Sequence, residues 1–369
     1  MKERPEAGTL ASETDYPQLR PQTCDQQLQV RFLLETEWPI WDGFVHQHPH
    51  GSPFHLTAWK QTIEECFSYK AHYLVAWDNN RIRAVLPLFL IDNPILGRVL
   101  VSSPFAVYGG ILADTKMARD VMYEKARALG ESLGVDYIEL RNRYPEQCVA
   151  GSNLTRYVTF TREVYPQAEN ILLSLPKKTR NVVRKSFQHQ FATRYALTDL
   201  SVFTRVYSSN MHRIGAPSFS LKYFQSLVRN FGPLVDVREV WLGQDAVAVS
   251  LNFLYRGEMH TYYAAAESTF NQFAPNTFMY FDHLRWAGEN GYKTFDFGRS
   301  KRDGGVYDFK KHWGTNIREL PYEICSVKKA NLSDLTAARS RFNFMTRVWQ
   351  KLPLPIARVL SRAILPLFP

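Results

Sequence analysis

The sequence predicts an α/β (α+β) protein made of two copies of one small domain, each with a mixed, mainly antiparallel sheet. Three observations carry this. Two β-hairpins of one pattern recur about 160 residues apart, and each is followed by a helix that ends at a glycine and re-enters the sheet. The chain has 369 residues, 45% of them hydrophobic and 14% aromatic, enough for two cores and too apolar for disorder.

Residues 1–25 are polar, contain prolines and lack the apolar stretch of a secretion signal, so they are expected to be a disordered leader. The first domain is placed at residues 26–165. Its hairpin, residues 71–91, runs through His-Tyr-Leu-Val-Ala-Trp, turns at Asp78-Asn79-Asn80 and returns through an apolar strand. The helix that follows ends in the Gly130 to Gly134 stretch, and the next strand closes on Glu139-Leu-Arg141. The second domain, residues 166–330, repeats the order. Its hairpin covers residues 235–255 around the Gly243-Gln-Asp245 turn, and its helix and Gly291 lead into a strand ending Asp296-Phe-Gly-Arg299.

Between the copies, Leu175-Pro-Lys177-Lys178-Thr-Arg180 opens a helix with five cations and with Val182, Val183 and Phe187 at helical spacing. No acidic residue lies between Glu169 and Asp199, so these cations face either solvent or an anionic ligand. Residues 331–369 form a basic amphipathic tail. From residue 337 onward it holds six arginines and lysines, no acid, and interleaved aromatic and aliphatic residues. Such a segment either meets a membrane interface or docks back on the protein's own domains.

The formal charge of +10 favours anionic partners such as nucleic acid, nucleotide-sugars or phospholipid headgroups. The four cysteines are widely spaced, with no CxxC pair, and read as reduced thiols of a cytosolic protein. His46, His48, His50 and His55 lack cysteine or carboxylate partners at useful spacing, so no metal site is expected. No window reaches the roughly 18 uncharged apolar residues of a bilayer span.

The stretch from Asp296 to Gly314 joins a strand end to a glycine-broken loop and a run of cations and aromatics, the composition of an anion grip. Here the chain resembles the FemAB family of aminoacyl and acyl transferases. That family has tandem domains of the Gcn5-related N-acetyltransferase (GNAT) type. The resemblance covers the organisation of residues 30–330, and its most distinctive mark is Phe-Lys310-Lys311-His-Trp-Gly314. More narrowly, Gly298-Arg-Ser-Lys301, the 175–180 helix start and Trp349-Gln-Lys-Leu-Pro-Leu-Pro355 are similar to FemAB-related proteins that accompany bacterial exosortase (PEP-CTERM) and exopolysaccharide systems.

The resemblance implies a cytoplasmic transferase, peripheral at most on the inner membrane face. It would move an acyl or aminoacyl group onto an amine or hydroxyl of an envelope or exopolysaccharide precursor. The donor would be acyl-CoA or aminoacyl-tRNA, with no permanently bound cofactor, the acceptor a glycan or lipid-linked molecule. Membrane contact would run through residues 337–369, and no sequence-specific DNA binding is expected. The family's key lysine corresponds to Lys310.

Acyl transfer needs a nucleophile near the carbonyl, stabilisation of the tetrahedral oxyanion and a route for a proton; no covalent nucleophile is required. Lys310, read as opening a short helix or turn, would direct its ammonium to a phosphate or oxyanion, with Lys311 and Tyr307 on the same segment binding substrate. Tyr262 and Tyr263 lie on opposite faces of a strand, so one can offer a hydroxyl to the cleft and the other packs. Asp296 and Arg299 stand at a strand end where ligands meet sheets, although Asp296 could instead pair internally. Arg213, in an Ile-Gly-Ala-Pro loop, and Lys177 and Arg180 complete the substrate-binding set. Neither half carries the Arg/Gln-x-x-Gly-x-Gly/Ala turn that cradles the pyrophosphate of acetyl-CoA. The alternative to an enzyme is a non-catalytic adaptor of a polysaccharide or protein-sorting system at the inner membrane surface.

Overall fold

The computed structural model describes residues 28–94, 97–149, 153–154, 157–302, 304–328 and 349–369. The expected leader and residues 331–348 of the tail lie outside them. The first half runs β1 (Gln29–Phe32), α1 (Trp38–Gln47), α2 (Thr57–Cys66), β2 (Lys70–Asp78), β3 (Arg81–Asn93), β4 (Gly97–Ser102), β5 (Leu112–Ala113), α3 (Lys116–Leu133) and β6 (Tyr137–Leu140). Then come β7 (Asn153–Leu154), β8 (Tyr157–Glu163), α4 (Ala168–Ser174) and α5 (Lys177–Ser186). The second half runs β9 (Phe191–Tyr195), α6 (Ser201–Arg213), α7 (Leu221–Phe231), β10 (Val235–Leu242), β11 (Asp245–Tyr255), β12 (Glu258–Ala266), α8 (Pro275–Glu289) and β13 (Thr294–Lys301). It closes with α9 (Gly305–Lys311), β14 (Asn316–Glu319) and β15 (Tyr322–Ser326), and α10 (Leu354–Ile364) lies in the tail.

The two halves repeat in detail. β2–β3 and β10–β11 each turn through two residues whose first member takes positive φ, 53° at Asn79 and 61° at Gly243. Asparagine and glycine tolerate that conformation. Each hairpin then bulges at the same place, between Ala76 and Trp77 and between Val240 and Trp241. In each half the strand after the hairpin runs parallel to the strand after the helix, β4 with β6 and β12 with β13. α3 ends at Gly134 in the left-handed conformation, which relieves the unpaired carbonyls of its last turn.

The sheets read β1-β2-β3-β4-β6-β15-β7, with β5 beside β3, and β9-β10-β11-β12-β13-β8-β14. The same order thus appears twice, with one strand of each sheet coming from the other half. β8, inside the 26–165 range, pairs with β13 and β14, and β15, inside the 166–330 range, pairs with β6 and β7. The hairpin–helix–strand units are local patterns, whereas this exchange is a pairing between distant segments, so nothing in a sequence window marks it.

A single apolar core also crosses between the halves. Phe54 and Trp59 of the first meet Phe253 and Tyr262 of the second, and α2 lies against α7. α10 docks on this body: Ala357 and Ser361 are buried, and Tyr69 and Asn93 donate to the carbonyls of Pro366 and Leu367. No helix among the described residues is long and apolar enough to cross a membrane.

Candidate active site

The second sheet opens in its middle. β12 and β13 pair only from Glu258–Thr294 to His260–Asp296 and then diverge. Each strand is deformed beside that point. β12 carries an extra residue at Tyr262, between Thr261 paired to Asn252 and Tyr263 paired to Leu251. β13 carries one across Phe297-Gly298 opposite Phe160 of β8, and Gly298 sits at φ +74°. Bulges of this kind turn side chains out of the regular pleat and free backbone groups from the ladder.

Charged side chains collect under the opening. Asp296 is fully buried and accepts from Tyr108 Oη and the Gly298 N–H, each at 2.7 Å, and from Thr159 at 3.3 Å. Arg143 of the first half donates to Glu258 at 2.6 Å and Asp296 at 3.5 Å, and stacks 4.4 Å over the Tyr108 ring. Burial opposes the Asp296 charge, but His260, Arg143 and the hydrogen bonds from Tyr108 and Gly298 hold its carboxyl below the usual range. Asp296 therefore ties the two halves together, the internal pairing that sequence alone left open.

Lys310 lies in the last turn of α9, not at the start of a helix. Its side chain folds back into the protein, where Nζ donates to the carbonyls of Gly298 at 3.1 Å and Arg299 at 2.9 Å. Burial pushes its pKa down to about 8, with Arg299 acting the same way and Asp296 opposing. His260 shares this corner. A Cβ built on Gly298 would lie 3.1 Å from His260 Nε2, closer than an ordinary contact, and 3.7 Å from Lys310 Nζ, and the φ of +74° itself favours glycine here. Burial lowers the His260 pKa to about 4, and its neutral Nε2 is a buried nitrogen with no hydrogen-bond partner among the described residues, 4.0 Å from Asp296.

Glu258, His260 and Asp296 bring ligand atoms within 4.8 Å of one another, the spacing of a cation site. The Arg143 guanidinium already bridges both carboxylates and supplies the charge a cation would bring. The donor set therefore fits an ion pair better than a metal.

The other expected residues divide between three places. Arg299 borders the opening, its guanidinium 4.7 Å over Tyr157 and donating to Tyr322 Oη at 3.0 Å, and Tyr262 Oη donates to the Phe105 carbonyl. Tyr263 faces away, buried among α6 and α7 rings with its hydroxyl 2.9 Å from that of Tyr223. Arg213 is the exposed last residue of α6, not a loop residue, and binds Asn210 at 2.7 Å. Lys177 and Lys311 are exposed, Arg180 and Tyr307 half-buried, and they lie where α5 meets α9, joined by the Thr179 hydroxyl on the His312 carbonyl. This is a basic surface at the end of α9, the helix that carries Lys310. The structure adds Tyr108, Arg143, Thr159 and His260 to these residues. His260 alone had a signal, since its i, i+2 spacing from Tyr262 puts both rings on one face.

Residues 177–311 match the acetyltransferase (GNAT) domain model. The fold is that of a crystal structure of FemX, with TM-score 0.65 and 14% identity over 86% of this chain and all of that one. A tandem GNAT protein from the clavulanic acid biosynthesis pathway matches with TM-score 0.51 and 8% identity, over 83% of this chain and all of that chain. Local sequence similarity adds another set of relatives: the lipid II:glycine glycyltransferases of Staphylococcus epidermidis and Staphylococcus aureus are 34% and 36% identical over 64 residues. The chain has a tandem GNAT fold and resembles FemAB-type proteins. The match spans 15% of this chain and 15% of each glycyltransferase. L-PGS from Bacillus licheniformis shares the fold at TM-score 0.53 and 12% identity, over 82% of this chain and 96% of that one.

Proposed function

We propose that this protein is a transferase that moves an acyl or aminoacyl group from an activated donor to an amine or hydroxyl of a cell-envelope precursor. The observation that carries it is the buried ammonium of Lys310 at the bulged opening between β12 and β13. In the reaction the acceptor nitrogen or oxygen attacks the donor carbonyl carbon. The ester or thioester bond breaks, the acceptor loses a proton, and the leaving hydroxyl or thiol gains one. Negative charge gathers on the carbonyl oxygen midway. A fixed cation in a water-poor site stabilises that charge far better than it would in water. With a pKa of about 8, Lys310 is still mostly charged at neutral pH and close enough to exchange a proton.

We take aminoacyl-tRNA ahead of acyl-CoA as the donor class on two features. The β12–α8 connection, where a phosphate-cradling glycine turn would open the helix, is residues 267–274 without a glycine, and Pro275 begins α8. Proline lacks an N–H to offer a phosphate. The exposed Lys177, Lys178 and Lys311, where α5 meets the end of α9, suit a polyanionic donor instead. The glycyl transfer to lipid II named for the staphylococcal relatives supports an envelope acceptor. An exopolysaccharide precursor is the narrower form of this reading and rests on the Gly298–Lys301 and 349–355 stretches. A cytoplasmic protein peripheral to the inner membrane face goes with either acceptor. The test is incubation with charged tRNAs or acyl-CoAs and lipid-linked precursors, read by mass spectrometry. A mass increase matching one donor supports the proposal; no product with either donor class refutes it and leaves the adaptor.

A further inference from the structure

We propose that α10 and the adjoining α6–α7 loop form a docking face for an anionic phospholipid bilayer. The proposal extends the envelope-precursor reading and rests on it for bringing the protein near a membrane, while the contact itself is read from α10. This helix touches the protein through small residues: Ala357 and Ser361 are 2% and 3% exposed, and Ser361 Oγ accepts from the Ser218 N–H at 3.1 Å. Its large aliphatic residues point the other way. Ile356, Val359 and Leu360 are 49%, 68% and 38% exposed at i, i+3, i+4 spacing, one ridge along the helix. A helix that served only to cover the core would bury that ridge.

The flank between the docked side and the ridge is basic. Arg358 is fixed by its Nε donating to Ser208 Oγ at 3.0 Å, and Arg362 stands one turn further on. With Arg205 and Lys222 these arginines line two adjoining hollows of about 310 and 260 Å³ that share residues 218–221. Leu221 at their rim is 37% exposed and lengthens the apolar surface. Residues 337–369 contain no acid, and the nearby Glu267 is already paired with Arg205.

An apolar ridge beside a cationic hollow matches the layering of an anionic bilayer, acyl chains below and phosphates above. A second copy of this chain fits worse, because a two-fold contact would set the same arginines against each other.

The test is cosedimentation of the full chain with vesicles of phosphatidylglycerol and phosphatidylcholine, and with phosphatidylcholine alone. The expected result is salt-sensitive binding at least tenfold tighter to the mixed vesicles. Val359→Asp and Arg362→Glu, both on exposed side chains, should each weaken it at least tenfold with unchanged circular dichroism. Equal binding to both vesicle types, or mixed-vesicle binding that neither variant alters, overturns the proposal. So does a dimer in sedimentation equilibrium that Val359→Asp splits, which would assign the face to a second copy. Vesicle binding retained by a protein that transfers no group would sink the enzymatic reading and leave this one standing.

Discussion

Replacing Lys310 by methionine should change how stability depends on pH. The lysine is 7% exposed, and its pKa is lowered from 10.5 to about 8 by burial. Between those values the unfolded chain binds the proton that the folded chain has released, so raising the pH favours folding. At pH 7 nearly the full penalty of burying the charge is present; at pH 10 most of it is gone. For a shift of this size, linkage gives the wild type about 2.5 kcal/mol of extra stability between pH 7 and pH 10 from this group alone. Lys310→Met cannot titrate there and lacks that increment, while all other groups cancel in the comparison. Urea unfolding of both proteins at the two pH values measures it through the midpoint and slope. The expected difference of differences is about 2 kcal/mol or slightly more, favouring the wild type at high pH. Parallel pH profiles would mean that the ammonium is solvated as an ordinary lysine is, and the argument for its role would fall.

Tyr108→Phe removes the hydroxyl that joins Asp296 to the first half, and should cost about 2 kcal/mol in chemical denaturation, as for a hydrogen bond to a buried charge. A loss below about 0.5 kcal/mol would show that Arg143 and Thr159 suffice. Gly298→Ala puts a side chain at φ +74° and against His260, so it should destabilise by about 1–2 kcal/mol and depress transfer more than stability, seen by paired thermal and turnover assays. Lys177→Glu with Lys178→Glu should raise KM for a charged tRNA and flatten its salt dependence while leaving kcat unchanged. A loss in kcat with KM intact would place these lysines in chemistry rather than in donor binding.

Much of the fold was legible because it is written in local periodicity. The hairpins that turn at Asn79-Asn80 and Gly243-Gln244 and the glycine-ended helices before Tyr137 and Thr294 are patterns within single windows, and their recurrence exposes the duplication. The exchange of β8 and β15 is not such a pattern, since alternating apolar strands do not encode the sheet they join. The site shows the same division. Lys310, Asp296 and Arg299 sit in one unusual stretch and could be singled out together. Tyr108 and Arg143 could not, because their partners lie in the other half and the contact exists only after both sheets have formed. Tyr263 shows the limit of alternation: period two separates it from Tyr262, but says nothing of which face the opening is on, and α7 covers its side.

Under the proposed function the buried ammonium of Lys310 stabilises charge during group transfer. The measurement that tests it most directly is the single-turnover rate of wild type and Lys310→Met with the donor and acceptor that give product, both proteins folded at the assay temperature. Loss of one such stabilising group predicts a rate lower by about 100-fold or more, with donor affinity little changed. A variant that transfers within about twofold of the wild-type rate would contradict the account.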